Sequence, residues 1–437
     1  MEDRTTTADV AVIGGGLGGL ATAAYLARGK HSVVLCEKAA APGGRAATTP
    51  VGEFRFNLGP HALYAGSHGI AVLRELGVSF HGRKPTASGG FAIDRGAKHA
   101  LPGGFLSLLT TGLFGLPAKL ETGRLLAGFG RIDPAPLAHL SMHEWIESNV
   151  RHPDVRRLVA ALVRVATYSH DPERLSAATA ITQVQQALSK GVLYLDGGWQ
   201  TLVDGLRTAA TAAGARIVTS ARAASFERRD NAWSVRLADG SAIDARAVVV
   251  AAGPDAAAAL LDGAAQATAR RWAETAVPVK AACLDLALSN LPQPRATFAL
   301  GIDRPLYLSV HSAYAALGPQ GSAVIHLAKY LGRAASDPKA DERELEALMD
   351  LVQPGWRPLV QQRRFLPDML VSHALPTAAG GGTAGRPGPG ILGVDDVYVV
   401  GDWVGPDGLL ADASLASAKQ AASLIAQRAA RPARAAA

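Results

Sequence analysis

Residues 9–37 read DVAVIGGGLGGLATAAYLARGKHSVVLCE, and this stretch decides the fold. Asp9–Gly14 carries an apolar, β-branched run of the kind buried on both faces of a parallel sheet. Gly14, Gly16 and Gly19 follow at once in the spacing GxGxxG, an alanine-rich helix continues to Arg28, and Ser32–Glu37 supplies a second strand. Each glycine has a mechanical task. Gly14 makes the tight turn, Gly16 lets a pyrophosphate approach the backbone, and Gly19 lets the helix pack against the sheet. The helix N-terminus offers free N–H groups and the positive end of its dipole to the phosphates. Glu37, at the end of the second strand, is placed to accept hydrogen bonds from ribose hydroxyls. The unit predicts a strand–helix–strand cradle for a dinucleotide.

The same glycine spacing recurs at Gly380, Gly382 and Gly385, within PTAAGGGTAGRPGPG (376–390). No strand precedes it and prolines follow it, so it reads as a flexible loop. One strand-supported fingerprint predicts one dinucleotide site and no second site for a nicotinamide.

At 437 residues the chain is too long for one simple core, so two domains are expected. Lys and Arg exceed Asp and Glu by 44 − 37 = 7, and the sequence pI is about 9.5. The cations are scattered and form no stripe interleaved with aromatics, which argues against nucleic acid. Cys36 and Cys283 lie far apart and outside any CxxC pair, no apolar run is long enough to span a bilayer, and the first residues carry no apolar signal core. These features predict a reducing, cytoplasmic setting. HExxH, GxSxG and clustered Cys/His are missing from the sequence, so no metal is expected.

Beyond Glu37 come Lys38 and Pro42-Gly43-Gly44-Arg45, then FRFNLGPHALY at 54–64. YLDGGWQTLVDGL follows at 194–206, a run of alternating strands at 216–254 ends in Ala252-Gly253-Pro254, and VYVVGD at 397–402 leads into a long helix. In this order the segments resemble the FAD-dependent superfamily of amine oxidases, protoporphyrinogen oxidases and phytoene-desaturase-like enzymes, with the phytoene dehydrogenase-like members nearest. The resemblance implies an α/β fold: a Rossmann-like FAD-binding domain, a parallel sheet with helices and a β-hairpin insert, plus a discontinuous α+β substrate or cap domain. The implied division is 1–90, 190–276 and 390–437 for FAD, with 91–189 and 277–389 for the cap.

The resemblance also implies roles. Non-covalent FAD would be held by Gly14, Gly16, Gly19, Glu37, Lys38, Gly43, Gly44, Arg45, Gly59, Pro60, His61, Ala223, Ala252, Gly253, Gly401, Asp402, Ala413 and Leu415. At Ala413-Ser414 the sequence departs from the family's usual Gly-Ala, which shifts the expected start of the helix. His61 and Tyr64, in the turn expected beside the flavin, and Lys280, where amine-oxidase-like members place a lysine near flavin N5, are the catalytic candidates. Lys280 reads equally as a strand-edge lysine in solvent.

The apolar segment Leu101–Leu116, LPGGFLSLLTTGLFGL, admits three readings: a loop dipping peripherally into a membrane, the wall of a lipophilic tunnel, or a buried helix pair. Three reaction classes stay open. One is dehydrogenation of a lipophilic substrate by hydride transfer to flavin N5, with reoxidation by oxygen or a quinone. The others are C–N oxidation of an amine and a non-redox, FAD-dependent isomerisation.

Overall fold

The structure is a computed structural model that describes residues 5–86, 90–229, 232–261 and 263–430. The chain opens with strand β1 (Thr5–Ile13), helix α1 (Leu17–Arg28) and strand β2 (Val33–Cys36). It continues through β3 (Gly90–Asp94), β4 (Ala97–Ala100), α2 (Phe105–Thr110), α3 (Leu116–Phe129), α4 (Pro153–Thr167), α5 (Ala177–Lys190) and α6 (Gln200–Ala212). Then come β5 (Arg216–Val218), β6 (Ala223–Arg229), β7 (Ala232–Leu237), β8 (Ala242–Val250), β9 (Val279–Leu288), β10 (Phe298–Gly301) and β11 (Leu306–Val310). The principal elements end with β12 (Ala323–Tyr330), β13 (Val360–Ser372), β14 (Val397–Val399) and α7 (Ala411–Ala429).

These strands build two seven-stranded sheets. The first runs β5-β2-β1-β8-β7-β6, with β14 also paired to β8. Its β5-β2-β1-β8 portion is parallel, with Val10 of β1 opposite both Val33 and Ala247, and β6 and β7 add an antiparallel hairpin. The expected parallel sheet with a hairpin insert is present. One edge of β8 is shared, its first half pairing with β7 and its last residues with Val397–Val399.

Helix α1 is buried almost all round, with Leu20, Ala21, Ala23 and Ala24 fully enclosed between the sheet, α6 and α7. That environment explains an alanine-rich helix, because small side chains allow three packed neighbours to approach. Gly19 shows the limit of this closeness, since a Cβ there would stand 1.9 Å from the Gly14 carbonyl oxygen.

The second sheet has the order β13-β9-β12-β11-β10-β3-β4 and carries α4 and α5 in a separate apolar core around Met142, Trp145, Leu158 and Ile181. All its strands lie between residues 90 and 372, while the first sheet uses strands from both ends and the middle of the chain. We propose the two-part division given above as the domain frame, with the second sheet as the cap. No helix among the described residues is long and apolar enough to cross a membrane.

Candidate cofactor cradle and active site

The carboxyl ends of β1, β2, β8 and β14 meet along one edge of the first sheet, where an open α/β sheet binds its ligand. Gly14 takes φ +108°, and a Cβ on it would lie 2.5 Å from the Ala251 carbonyl oxygen. At Gly16 an added Cβ would meet nothing within 4 Å, so open space remains where a pyrophosphate would approach. Gly43 donates its N–H to the Gly15 carbonyl at 2.8 Å, which brings the Gly43-Gly44 turn alongside that space. Glu37 is buried at the end of β2, its carboxylate accepting from the N–H groups of Gly15 (2.6 Å) and Ala39 (2.8 Å). Its carbonyl accepts from Ala221, so the segment leading to Ala223 borders the same end of the crevice. Lys38 is exposed.

At the other end of the crevice, Asp402 is buried and accepts from Arg45 Nη1 (2.7 Å) and Nη2 (2.9 Å). His373 donates its backbone N–H to the same carboxylate at 3.0 Å, and its Nδ1 lies 2.8 Å away. Burial pushes the Asp402 carboxyl up, but the charge and hydrogen bonds of Arg45, with His373 behind them, hold it well below the usual carboxylate range. The His373 ring also occupies the place where a Cβ on Gly253 would be, 2.3 Å from Cδ2. Nothing local in the sequence marks His373. Ala252 accepts a hydrogen bond from Trp403 Nε1 at 2.9 Å, which closes this corner beside Gly401.

The Gly59-Pro60-His61 turn faces the second sheet. A Cβ on Gly59 would lie 2.8 Å from Cys283 Sγ and 3.1 Å from Met369 Cε. Tyr168 donates to the Pro60 carbonyl at 3.0 Å and meets Tyr330 edge to face, with Tyr307 and Ala281 in the same cluster. Beside this cluster, Asp285 and His326 are fully buried, with His326 Nδ1 2.6 Å from Asp285 Oδ1. Arg364 caps the other Asp285 oxygen and also donates to the Asn57 carbonyl, which ties the second sheet to the strand before the turn.

A model of the family described as flavin-containing amine oxidoreductase matches residues 17–426. The chain belongs to that family. With membership come FAD as cofactor and the oxidoreductase chemistry that the family performs. The open space at Gly16, the Gly43-Gly44 turn and the acid ending β2 fit FAD.

A putative flavin-containing monoamine oxidase of Mycobacterium tuberculosis is 29% identical over 271 residues, covering 57% of each chain. A carotenoid 3,4-desaturase of Haloarcula japonica is 52% identical over 52 residues, 12% of this chain and 10% of that one. The chain therefore matches less than two thirds of the length of these curated relatives. Among solved structures, an oxidoreductase from Methanosarcina mazei superposes with TM-score 0.74 at 20% identity, covering 94% of this chain and 98% of that one. A putrescine oxidase variant gives TM-score 0.77 at 14% identity over 97% of this chain and 100% of its own, a likeness of fold.

Within this family fold, the three catalytic candidates fall in different places. His61 has Nδ1 3.2 Å from the Gly59 carbonyl and Nε2 3.0 Å from that of Arg45, and a neutral ring donates its single N–H to one of the two. Burial pulls it down to about 4 despite those carbonyls, leaving a neutral ring that stands edge-on to Trp199. Tyr64 donates to the Ala166 carbonyl at 2.7 Å and pins α4 to the segment after the turn. Lys280 forms an ion pair with Asp368 at 2.8 Å, both side chains well exposed, and the structure does not bring it to the turn. Its surroundings favour the solvent reading, although β9 is paired on both sides, by β13 and β12, and is not an edge strand.

Helix α7 starts at Ala411, ahead of the Ala413-Ser414 departure. Asp412 and Ala413 both donate to the Leu409 carbonyl, at 3.0 and 3.4 Å, and Ala413 and Leu415 are fully buried. The first turn is already closed at Ala413, so the Ala413 and Leu415 side chains lie inside the packed helix. The 380–385 glycines form a short 3₁₀ turn, Gly382–Gly385, packed against Ser176 and Thr179 rather than a free loop. The described residues gather no group of three or more metal-ligating side chains.

Proposed function

We propose that this protein oxidises an uncharged, lipophilic substrate by dehydrogenation. The observation that carries this reading is the uncharged cluster beside Gly59 and Pro60, where buried Cys283, Tyr307 and Tyr330 pack with half-buried Met369 and Tyr168. Burial keeps the three tyrosines and the Cys283 thiol neutral. An enclosed apolar wall excludes water and suits a substrate that needs only to be held over its electron acceptor. Bound FAD would supply that acceptor, with oxygen or a quinone as the final oxidant.

The chain's own residues do the holding. Gly14, Gly16 and the start of α1 receive the pyrophosphate, and Glu37 receives the ribose. Asp402, clamped by Arg45 and His373, fixes the far end of the crevice. His61 braces the turn as a neutral ring and moves no proton, and Tyr64 keeps the second sheet's helices against it.

Lipophilic delivery has its own support. Leu106, Leu109 and Leu116 are 76%, 50% and 69% exposed along α2 and α3, an apolar face suited to peripheral contact with a membrane in which such a substrate dissolves. Amine oxidation is the second reading, favoured by the tyrosines at the turn, which suit an aromatic wall, and by the monoamine oxidase relative. Anaerobic mixing decides between them. Polyenes or polyprenoids in detergent should bleach the oxidised flavin, and a panel of primary and secondary amines should not. Bleaching by amines alone would replace the proposal with the second reading.

A further inference from the structure

Arg386 sits in the segment that the sequence presents as a proline-flanked glycine loop. Its Nη1 donates to the Gly408 carbonyl at 2.9 Å. Its Nε and Nη2 are shut off from solvent and have no partner among the described residues. A guanidinium carries five N–H donors in a fixed fork, and leaving several of them dry and unmet is destabilising. Burial is the cause of the pull on Arg386, down to about 10, and the one charge that opposes it is Asp402. That carboxylate is already engaged by Arg45 and His373.

The position of this cation narrows what it awaits. Gly408 lies two residues before Leu410, which takes φ +55° and leads into the 19-residue helix α7. The neighbouring Pro387 carbonyl accepts from Gly405 at 2.9 Å, so the Arg386 segment is tied twice to the loop that starts α7. A buried guanidinium and the positive end of a long helix thus converge on one place. Along the sheet edge, Glu37 ends β2, Gly16 follows β1, and Asp402 follows β14 on the far side of β8. A dinucleotide with its adenosine ribose at Glu37 and pyrophosphate at Gly16 carries its second ring system to the Asp402 end. The pyrophosphate already has α1 and the glycines, which leaves the other end of the dinucleotide as the acceptor still to be matched.

We propose that Arg386 is the cation for the pyrimidine edge of the flavin, where N1 and the C2 carbonyl gather negative charge when the ring is reduced. In this role it tunes the cofactor's electron affinity together with the α7 terminus. The inference rests on FAD as cofactor and not on the choice of substrate.

The test uses purified, FAD-loaded protein and no substrate. Sulfite adds at flavin N5 and leaves its negative charge on the same pyrimidine edge, so its affinity reads the local cation. Arg386→Gln should weaken sulfite binding at least tenfold and lower the two-electron potential, about 30 mV for each tenfold change. Arg386→Lys, which keeps the charge and loses the fork, should fall between Gln and wild type. Unchanged sulfite affinity and potential in the Gln variant would overturn the proposal. So would loss of FAD retention with an unchanged potential, which assigns Arg386 to the phosphates or to the loop. Should the Gln variant not fold, the Lys variant decides alone, and a wild-type potential in it counts against the proposal.

Discussion

The guanidinium of Arg45 meets the carboxylate of Asp402 at 2.7 and 2.9 Å across 357 residues of sequence. The pair joins the turn after β2 to the end of β14, and the Asp402 side chain is 1% exposed against 35% for Arg45. Removing one partner of such a pair leaves the other without compensation. Asp402→Asn should therefore lower stability at pH 7 by about 2–4 kcal/mol, less than for a fully buried pair because Arg45 keeps some solvent. The folded carboxyl lies below its unfolded value, so its contribution is present above about pH 4 and lost as pH falls further. The gap between wild type and variant, measured by urea unfolding of flavin-free protein, should narrow as pH is taken below 4. A gap independent of pH would contradict the ion pair.

Asp412, in the first turn of α7, has the opposite linkage. Burial pushes its carboxyl up to about 6, against hydrogen bonds from Ser67 Oγ (2.5 Å) and the Gly69 N–H (3.2 Å). The folded state then binds more protons than the unfolded chain between about pH 4 and 6, so stability from this group is lost as pH rises through that window. An amide oxygen accepts the same two bonds without a charge. Asp412→Asn should gain on wild type as pH rises from 4 to 7, by an amount on the order of 2–3 kcal/mol. His61, depressed to about 4, gives a slope of the other sign in both proteins and cancels from the difference. Parallel stability curves for the two proteins would refute the raised carboxyl.

Much of this arrangement was legible in the linear pattern. The Rossmann unit could be read because its glycines answer local demands, such as the φ of +108° at Gly14 and the contact at Gly19. The alternation through 216–254 was legible as strands, and within it the tight turn at Asp239-Gly240 joins β7 to β8. His373 and Arg386 escaped because their partners, Asp402 and Gly408, come from other segments, and a lone His or Arg beside prolines has no local signature. Lys280 was open to two readings for a related reason. A position in a strand was inferred, but which neighbour the side chain meets depends on pairing with Asp368 in a distant strand.

The segment 101–116 divides by residue. Phe114 and Leu113 are buried in the core around Trp145 and Leu158, whereas Leu106, Leu109 and Leu116 face outward, and the Phe105 side chain lies outside the described residues. The segment is thus core on one side and an apolar surface on the other. Phe114→Ser should cost about 3–5 kcal/mol as a core truncation. Replacing Leu106, Leu109 and Leu116 together by Ser should change stability by no more than about 0.5 kcal/mol per site, while abolishing co-sedimentation with phospholipid vesicles. Vesicle binding that survives the triple change would remove the membrane role from this face.

Lys280 offers a direct test of how reduced flavin is reoxidised. Its ammonium is held by Asp368 at the surface, with side chains 39% and 59% exposed. Lys280→Met should leave the rate of reoxidation by oxygen within about twofold of wild type, the scale expected of a screened surface pair. Stopped-flow mixing of photoreduced protein with oxygenated buffer reads this rate. A drop of a hundredfold would return Lys280 to the flavin.

The source of electrons follows from the contrast between the two glycine triplets. Gly14 and Gly16 stand between a strand and a helix and Gly19 lies in the helix's first turn, with open space at Gly16. Gly380, Gly382 and Gly385 stand in a closed turn, where a Cβ on Gly385 would lie 1.6 Å from the Gly380 carbonyl and one on Gly382 2.8 Å from Ser176 Oγ. The strand before them, β13, ends at Ser372 and does not run into the glycines, and no α-helix starts from them to receive a second pyrophosphate. Reducing equivalents should therefore reach the flavin from the organic substrate and not from a nicotinamide. Anaerobic mixing with NADH or NADPH should leave the oxidised flavin absorption unchanged over minutes. Rapid bleaching by either would point to a reductase and require a nicotinamide site within the cap, against the apolar wall on which the proposed dehydrogenation rests.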